Sequence, residues 1–338
     1  MVPILRAMRP FLPHCLALGL AAQAPAYRVS VDPWVAWGPA LVAQDKGMWR
    51  QLGLDVEVVV YTANDSIHSF VAGRNDFVFA MAGTAVRAQL EQGVELTVLA
   101  EVDWSHGGDK ILVRNGVEFA GAKGQCIGVY EDSPAVTMFL DRKLGAEGLR
   151  LADFRIVELT DLQALASQFA AGRLFAAVSY EPYVALATGA GACHVVATTA
   201  DFPGIMPECI VARTPDLVRI PLAHVAALMA GWNAGVEWAL DPRHRAEFER
   251  ICQKRLFVDQ KATPAQFADM LGNVRIHDRA ALRARNVGDG GIRKALAECD
   301  AFARATRRAV RVEARPVAVD TRGLEQALGP APAAAPAK

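Results

Sequence analysis

Surplus positive charge, long apolar runs, dense aromatics and paired cysteine motifs are all missing from this chain. Its 338 residues hold 36 Lys and Arg against 36 Asp and Glu, a formal net charge of zero. Wrapping a phosphate backbone needs an excess of Lys and Arg, so the balance argues against a nucleic-acid partner. No apolar run reaches the roughly 18–20 residues that a membrane-crossing helix requires. The six cysteines include no CxxC spacing, which argues against a zinc knuckle and a dithiol redox centre. G-x-S-x-G, HExxH, Walker A and G-x-G-x-x-G are absent too, so hydrolase, zincin and nucleotide-binding readings have no motif. The seven histidines are scattered without ligand spacing. An enzyme is not expected, nor a cofactor or a metal.

What is present is an ordinary globular composition, 52% hydrophobic and 21% charged, in a chain long enough for two domains. The first ten residues carry Arg6 and Arg9 and no acid. A mostly apolar stretch follows over residues 11–22, then the small-residue triplets Ala22-Gln23-Ala24 and Ala24-Pro25-Ala26. That order reads as a secretory signal peptide over residues 1–26, cut near Ala24 or Ala26, which directs the mature protein to the periplasm. Cys15 lacks the small preceding residue of a lipid-anchor site. Of the remaining cysteines, Cys126, Cys193, Cys209, Cys252 and Cys299, at most one or two pairs are expected; most read as small core residues.

From Tyr27 onward short β-rich runs alternate with helical patterns, the signature of an α/β fold with largely parallel sheets. Strands are predicted at 28–31, 54–61, 77–81, 96–101, 110–114, 125–130, 154–158, 176–179, 194–197 and 209–212. After Pro215 the pattern reads as helices alone, and the Pro/Ala tail 329–338 as disordered. Phe70-Val71-Ala72-Gly73-Arg74 and Phe169-Ala170-Ala171-Gly172-Arg173 echo each other, each a helix end capped by glycine and leading into a strand. Two similar α/β lobes follow: 27–115 with 205–328, and 116–204.

Several segments in this order resemble one family. Trp37-Gly38-Pro39 precedes Ala43-Gln44-Asp45-Lys46-Gly47-Met48-Trp49 and Leu52-Gly53-Leu54-Asp55-Val56-Glu57; Ala72-Gly73-Arg74-Asn75-Asp76, Glu181-Pro182-Tyr183 and Asp201-Phe202-Pro203-Gly204 come later. Together they are similar to the substrate-binding proteins of nitrate/taurine/sulfonate-type ABC importers, which share a superfamily with thiamine-pyrimidine synthases. The resemblance covers about residues 28–240. It implies a type II periplasmic-binding-protein fold, two α/β lobes joined by two crossover strands, here near residues 114–119 and 201–211. It also implies a small-molecule ligand held by clamshell closure, an ABC permease as membrane partner, and a monomer. The chain departs from the family after the second capping glycine, where Leu174-Phe175 stands in place of the usual Asp.

In open α/β sheets ligands sit beyond the carboxyl ends of strands. That rule selects Trp34, Trp37, Asp65, Ser66, Gly83, Thr84, Asp103, Trp104, Ser105, His106, Tyr130, Asp132, Ser133, Tyr180, Glu181 and Asp201 as ligand-binding candidates. Asp132, Ser133 and Asp161 read equally well as helix caps. The acids of these loops, with Glu131 and Asp161 among them, face no Arg or Lys and only His106 as a cation. A sulfonate or nitrate site would add such a cation. Carboxylates beside Trp and Tyr instead suit an amine, a zwitterion or an aminopyrimidine. Two other readings stay open: a thiamine-pyrimidine-synthase-like enzyme that consumes His68, and a periplasmic ligand sensor using the same clamshell.

Overall fold

The computed structural model describes residues 24–61, 65–189, 191, 193–259, 261–306 and 313–330. The expected leader therefore lies outside the described residues up to position 23, as does most of the expected disordered tail. Ala26 already opens the first strand.

Two sheets organise the chain. In order along the sequence, β1 is Ala26–Val31, β2 Asp55–Val60, β3 Phe77–Met81, β4 Leu96–Ser105, β5 Asp109–Arg114 and β6 Cys126–Val129. There follow β7 Arg155–Glu158, β8 Ala176–Tyr180, β9 Cys193–Thr198, β10 Pro207–Arg213, β11 Val274–Ile276 and β12 Ala318–Val319. The first sheet runs β11-β4-β10-β3-β1-β2, with β12 also on β4; the second runs β7-β6-β8-β5-β9. Both are mixed rather than largely parallel. β10 lies antiparallel between β3 and β4, and β5 antiparallel between β8 and β9. Both strands follow a passage from one sheet to the other, so they enter running against their neighbours.

The chain passes from the first sheet to the second between Ser105 and Asp109, and returns between Thr198 and Pro207. The outward crossing thus falls before β5, not at 114–119 as expected, and β5 pairs wholly within the second sheet. The two crossings touch: the Ser105 and Thr199 hydroxyls are 2.7 Å apart, and the Gly107 amide donates to Thr199 Oγ1 at 2.8 Å. Gly107 has φ +104°, a backbone that side-chain-bearing residues rarely adopt, so glycine is needed at this pivot.

Apolar alternation places Val29, Val31, Phe77 and Phe79 in the first lobe's core, against Trp37 and Trp232. Phe79 and Trp232 have ring centroids 5.0 Å apart. Trp49 fits over Gly231 of helix Leu222–Leu240 and donates its indole N–H to the Leu228 carbonyl at 2.9 Å. The second lobe packs Phe119 edge-on against Phe154 and Phe175. Helices Arg245–Arg255, Pro264–Gly272, Arg279–Asn286, Gly291–Thr306 and Arg322–Leu328 follow. The short strands β11 and β12 interrupt what the sequence suggests is a purely helical tail. Cys126, Cys193, Cys209, Cys252 and Cys299 are all free thiols.

Candidate functional site

Between the sheets lies a pocket lined from both lobes. The first lobe lines it with Asp32 just past β1, Trp34, Trp37, Ile67, the end of β3, Thr84 and Glu208 at the start of β10. The second lobe adds Asp109 at the start of β5, Tyr130 and Glu131 just past β6, and Tyr180 at the end of β8. The aromatic wall is continuous. Tyr180 meets Trp34 edge-on at 5.6 Å across the lobes and Tyr130 at 5.1 Å within its own.

Four carboxylates face this space, and among the described residues no Lys, Arg or His lines it. Two of them have protein donors. Tyr130 donates its hydroxyl to Asp109 at 2.7 Å, and Thr84 donates to Glu131 at 2.7 Å from the opposite lobe. The other two each keep a buried oxygen without a partner, Asp32 Oδ1 and Glu208 Oε2. Behind the wall, Asp103 is fully buried on β4 and accepts the Trp34 indole N–H at 3.0 Å, its second oxygen unpaired. Burying a charge without compensation favours its neutral form. Burial, reinforced by Glu101, pushes Asp103 up to about 8 despite the Trp34 hydrogen bond. Burial pushes Glu131 up to about 7, with the Thr84 hydrogen bond and Arg87 pulling the other way. Asp32 and Glu208 rise well above the usual carboxylate range, by burial first and then by the neighbouring acids. Asp109 rises as well, through burial.

Of the residues selected from sequence, Trp34, Trp37, Thr84, Tyr130 and Tyr180 line the pocket together. Ser66 is buried beside it on the helix that supplies Ile67. Ser133 heads helix Pro134–Ala146 with its hydroxyl unpaired. Gly83 lies against Ala135, where a methyl group would run into the Ala135 backbone nitrogen. Asp103 and Ser105 support the pocket from behind: the Ser105 hydroxyl accepts the Asp109 amide at 3.0 Å.

The remaining candidates stand elsewhere. Trp104 packs against His277 and beneath Arg285, on the far side of β4. The His106 backbone amide bonds Asn273, away from the lining. Glu181 holds Lys110 at 3.0 Å and caps the Ala185 amide. Asp65 and Asp132 line separate grooves. Asp201 is exposed and accepts the Thr198 amide, and Asp161 caps its own helix. His68 is exposed on helix Asp65–Val71 and does not line the pocket.

The sequence reading missed Asp32, Asp109 and Glu208 and left Glu131 out of the chosen set. Glu208 and Asp109 begin strands rather than end them. On an antiparallel strand the start, not the carboxyl end, reaches the ligand edge of the sheet.

Two mixed sheets, a double crossing and an enclosed pocket at their facing edges define a periplasmic-binding-protein fold. A model of the NMT1-like family matches residues 21–253, and the chain belongs to that family. The alkanesulfonate-binding protein SsuA of Xanthomonas axonopodis, bound to MOPS, shares the fold at TM-score 0.68 with 20% identity, covering 86% of this chain and 97% of that one. The nitrate-binding protein NrtA of Synechocystis does so at TM-score 0.58 with 17% identity, covering 79% and 72%. A candidate binding protein of Brucella abortus is 26% identical over 194 residues, 55% of this chain and 59% of that one. The chain thus matches well under two thirds of that curated relative's length.

Proposed function

We propose that this protein is the periplasmic solute-binding component of an ABC importer, delivering its ligand to an inner-membrane permease as a monomer. The fold shared with sulfonate- and nitrate-binding proteins and the family membership support the class. The observation that carries the ligand reading is the lining itself: Asp32, Asp109, Glu131 and Glu208 beside Trp34, Trp37, Tyr130 and Tyr180, with no cation among the described residues. Nitrate or a simple sulfonate would meet four acids and no Arg or Lys to pair with it. An amine, a zwitterion led by its cationic end, or an amino-heterocycle finds acceptors for its N–H groups and rings to stack on.

Calorimetric titration with taurine, an alkanesulfonate, nitrate and an aminopyrimidine tests this reading. The aminopyrimidine should bind and nitrate should not. Tight binding of nitrate or a simple sulfonate, with none of the aminopyrimidine, would overturn it.

A further inference from the structure

The pocket acids are divided between the lobes. Asp32 and Glu208 stand on the first, Asp109 and Glu131 on the second, and the two pairs face each other across the space where the ligand would lie. We propose that these facing pairs are a charge lock, which bars closure of an empty, ionised cleft and makes positive charge the signal that selects the ligand and lets the lobes shut. This rests on the cationic-ligand reading above.

Contacts between the lobes cross at the same place. Thr84 of the first lobe bonds Glu131 of the second at 2.7 Å, so one pocket acid is also part of the join. Next to it, Arg87 reaches Glu158 on β7 at 2.9 Å, and Gly83 lies against Ala135. Closure therefore brings Glu131 and Asp109 to the acids of the first lobe. Like charges brought together in a low-dielectric site repel strongly, and Asp32 and Glu208 already feel the charge of the second-lobe acids.

The nearby cations offset that repulsion only in part: Arg87 favours ionised Glu131 and Lys110 favours ionised Asp109, but both are paired with other acids. Arg87 is shared by Glu158 and Glu91, and Lys110, which neighbours Asp109, is held by Glu181 and reaches Asp269 at 3.8 Å. Asp65, from the helix beside Asp32, and Asp103, behind Glu208, add negative charge from the first lobe. The Tyr130 and Tyr180 phenols stay neutral, pushed up by burial. A proton can stand in for the missing cation, and the raised proton affinities of the four pocket acids accord with that.

Small-angle scattering of the full chain reads the lock, with the permanently charged ring cation benzyltrimethylammonium as probe. The empty wild type should be expanded at pH 9 and contract as pH falls through 8 to 6. The probe should contract it at pH 9, where nitrate and the neutral benzyl alcohol leave it unchanged. The pair Glu208→Gln with Asp109→Asn, one acid from each lobe, should already be contracted at pH 9 without any probe.

A radius of gyration independent of pH in the empty wild type overturns the lock, and this needs no variant to fold. Calorimetry separates the two claims. Probe binding without a pH-dependent contraction removes the lock and leaves the cationic-ligand reading. Acid contraction without probe binding removes the cationic-ligand reading and, with it, the claim that positive charge selects the ligand, leaving only the repulsion between the facing acids.

Discussion

Gly83 has no side chain at the point where the first turn of helix Ala82–Gln92 meets Ala135 of the opposite lobe. Alanine there suits the helix itself, since it costs less backbone freedom than glycine. The added methyl, however, meets backbone that cannot swing aside. Gly83→Ala should therefore leave thermal stability within about 1 kcal/mol while weakening ligand capture about tenfold or more, because the lobes cannot meet; 1.4 kcal/mol of lost contact suffices for that factor. Titration with an aminopyrimidine alongside a melting curve checks it, and unchanged affinity would refute the close approach. Trp34 makes a different prediction. Its indole N–H is the hydrogen-bond donor on the fully buried Asp103, at 3.0 Å. Trp34→Phe keeps a ring in the wall but strips that donor, and should cost about 1–3 kcal/mol in urea unfolding at pH 9, where Asp103 is ionised. The loss should shrink at pH 6, where Asp103, pushed up to about 8, holds a proton.

At the scale of elements, β4 shows most clearly how the sequence was readable and where it stopped being so. Strand β3 lies where the apolar pattern puts it, because all five of its residues are apolar. The same reading ends β4 at Glu101, because acids are rarely buried inside a strand. The strand instead runs to Ser105 with Glu101 and Asp103 both fully buried. Each acid is justified by partners remote in sequence, which no local pattern displays. Glu101 accepts His277 Nε2 at 2.9 Å and Arg285 at 2.8 and 2.9 Å, while Asn286 bonds its backbone on both sides. Strands β11 and β12, three and two residues long, are too short to show a period. The pocket was half legible for a related reason: aromatic residues in polar loops stand out, whereas Asp109 and Glu208 become site residues only once the double crossing is known. Glu101 also ties helix Arg279–Asn286 to the sheet. Glu101→Ala leaves His277 and Arg285 without their shared acceptor, and should destabilise the fold by about 3–5 kcal/mol. Hydrogen exchange should locate the loosening in residues 279–286; protection unchanged there would contradict the role given to Glu101.

At the scale of the whole molecule, the buried acids in and behind the pocket set how stability depends on pH. Partly buried carboxylates such as Asp153, Asp216 and Asp241 are held below their ordinary range by hydrogen bonds and ion pairs with Arg150, Arg213, Arg219 and Arg243. The stability they add is present above about pH 4 and is lost only below it. Asp103 and Glu131 act in the opposite sense. Unfolded, they ionise near pH 4; folded, they keep their protons to about 8 and about 7. Between those limits the native state binds more protons than the unfolded chain, so unfolding free energy must fall as pH rises. The ligand-free protein should therefore melt at its highest temperature near pH 5 and lose at least about 3 °C by pH 8, since 1 kcal/mol moves the midpoint of a chain this size by about 2–4 °C. A cation in the pocket favours the ionised acids and should restore the loss at pH 8, with little effect at pH 5. Scanning calorimetry at pH 5 and 8, with and without benzyltrimethylammonium, reads all four values. A melting temperature that rises from pH 5 to 8 in the empty protein would mean that the pocket acids are ionised in the native state, and the source of the pH dependence argued here would be gone.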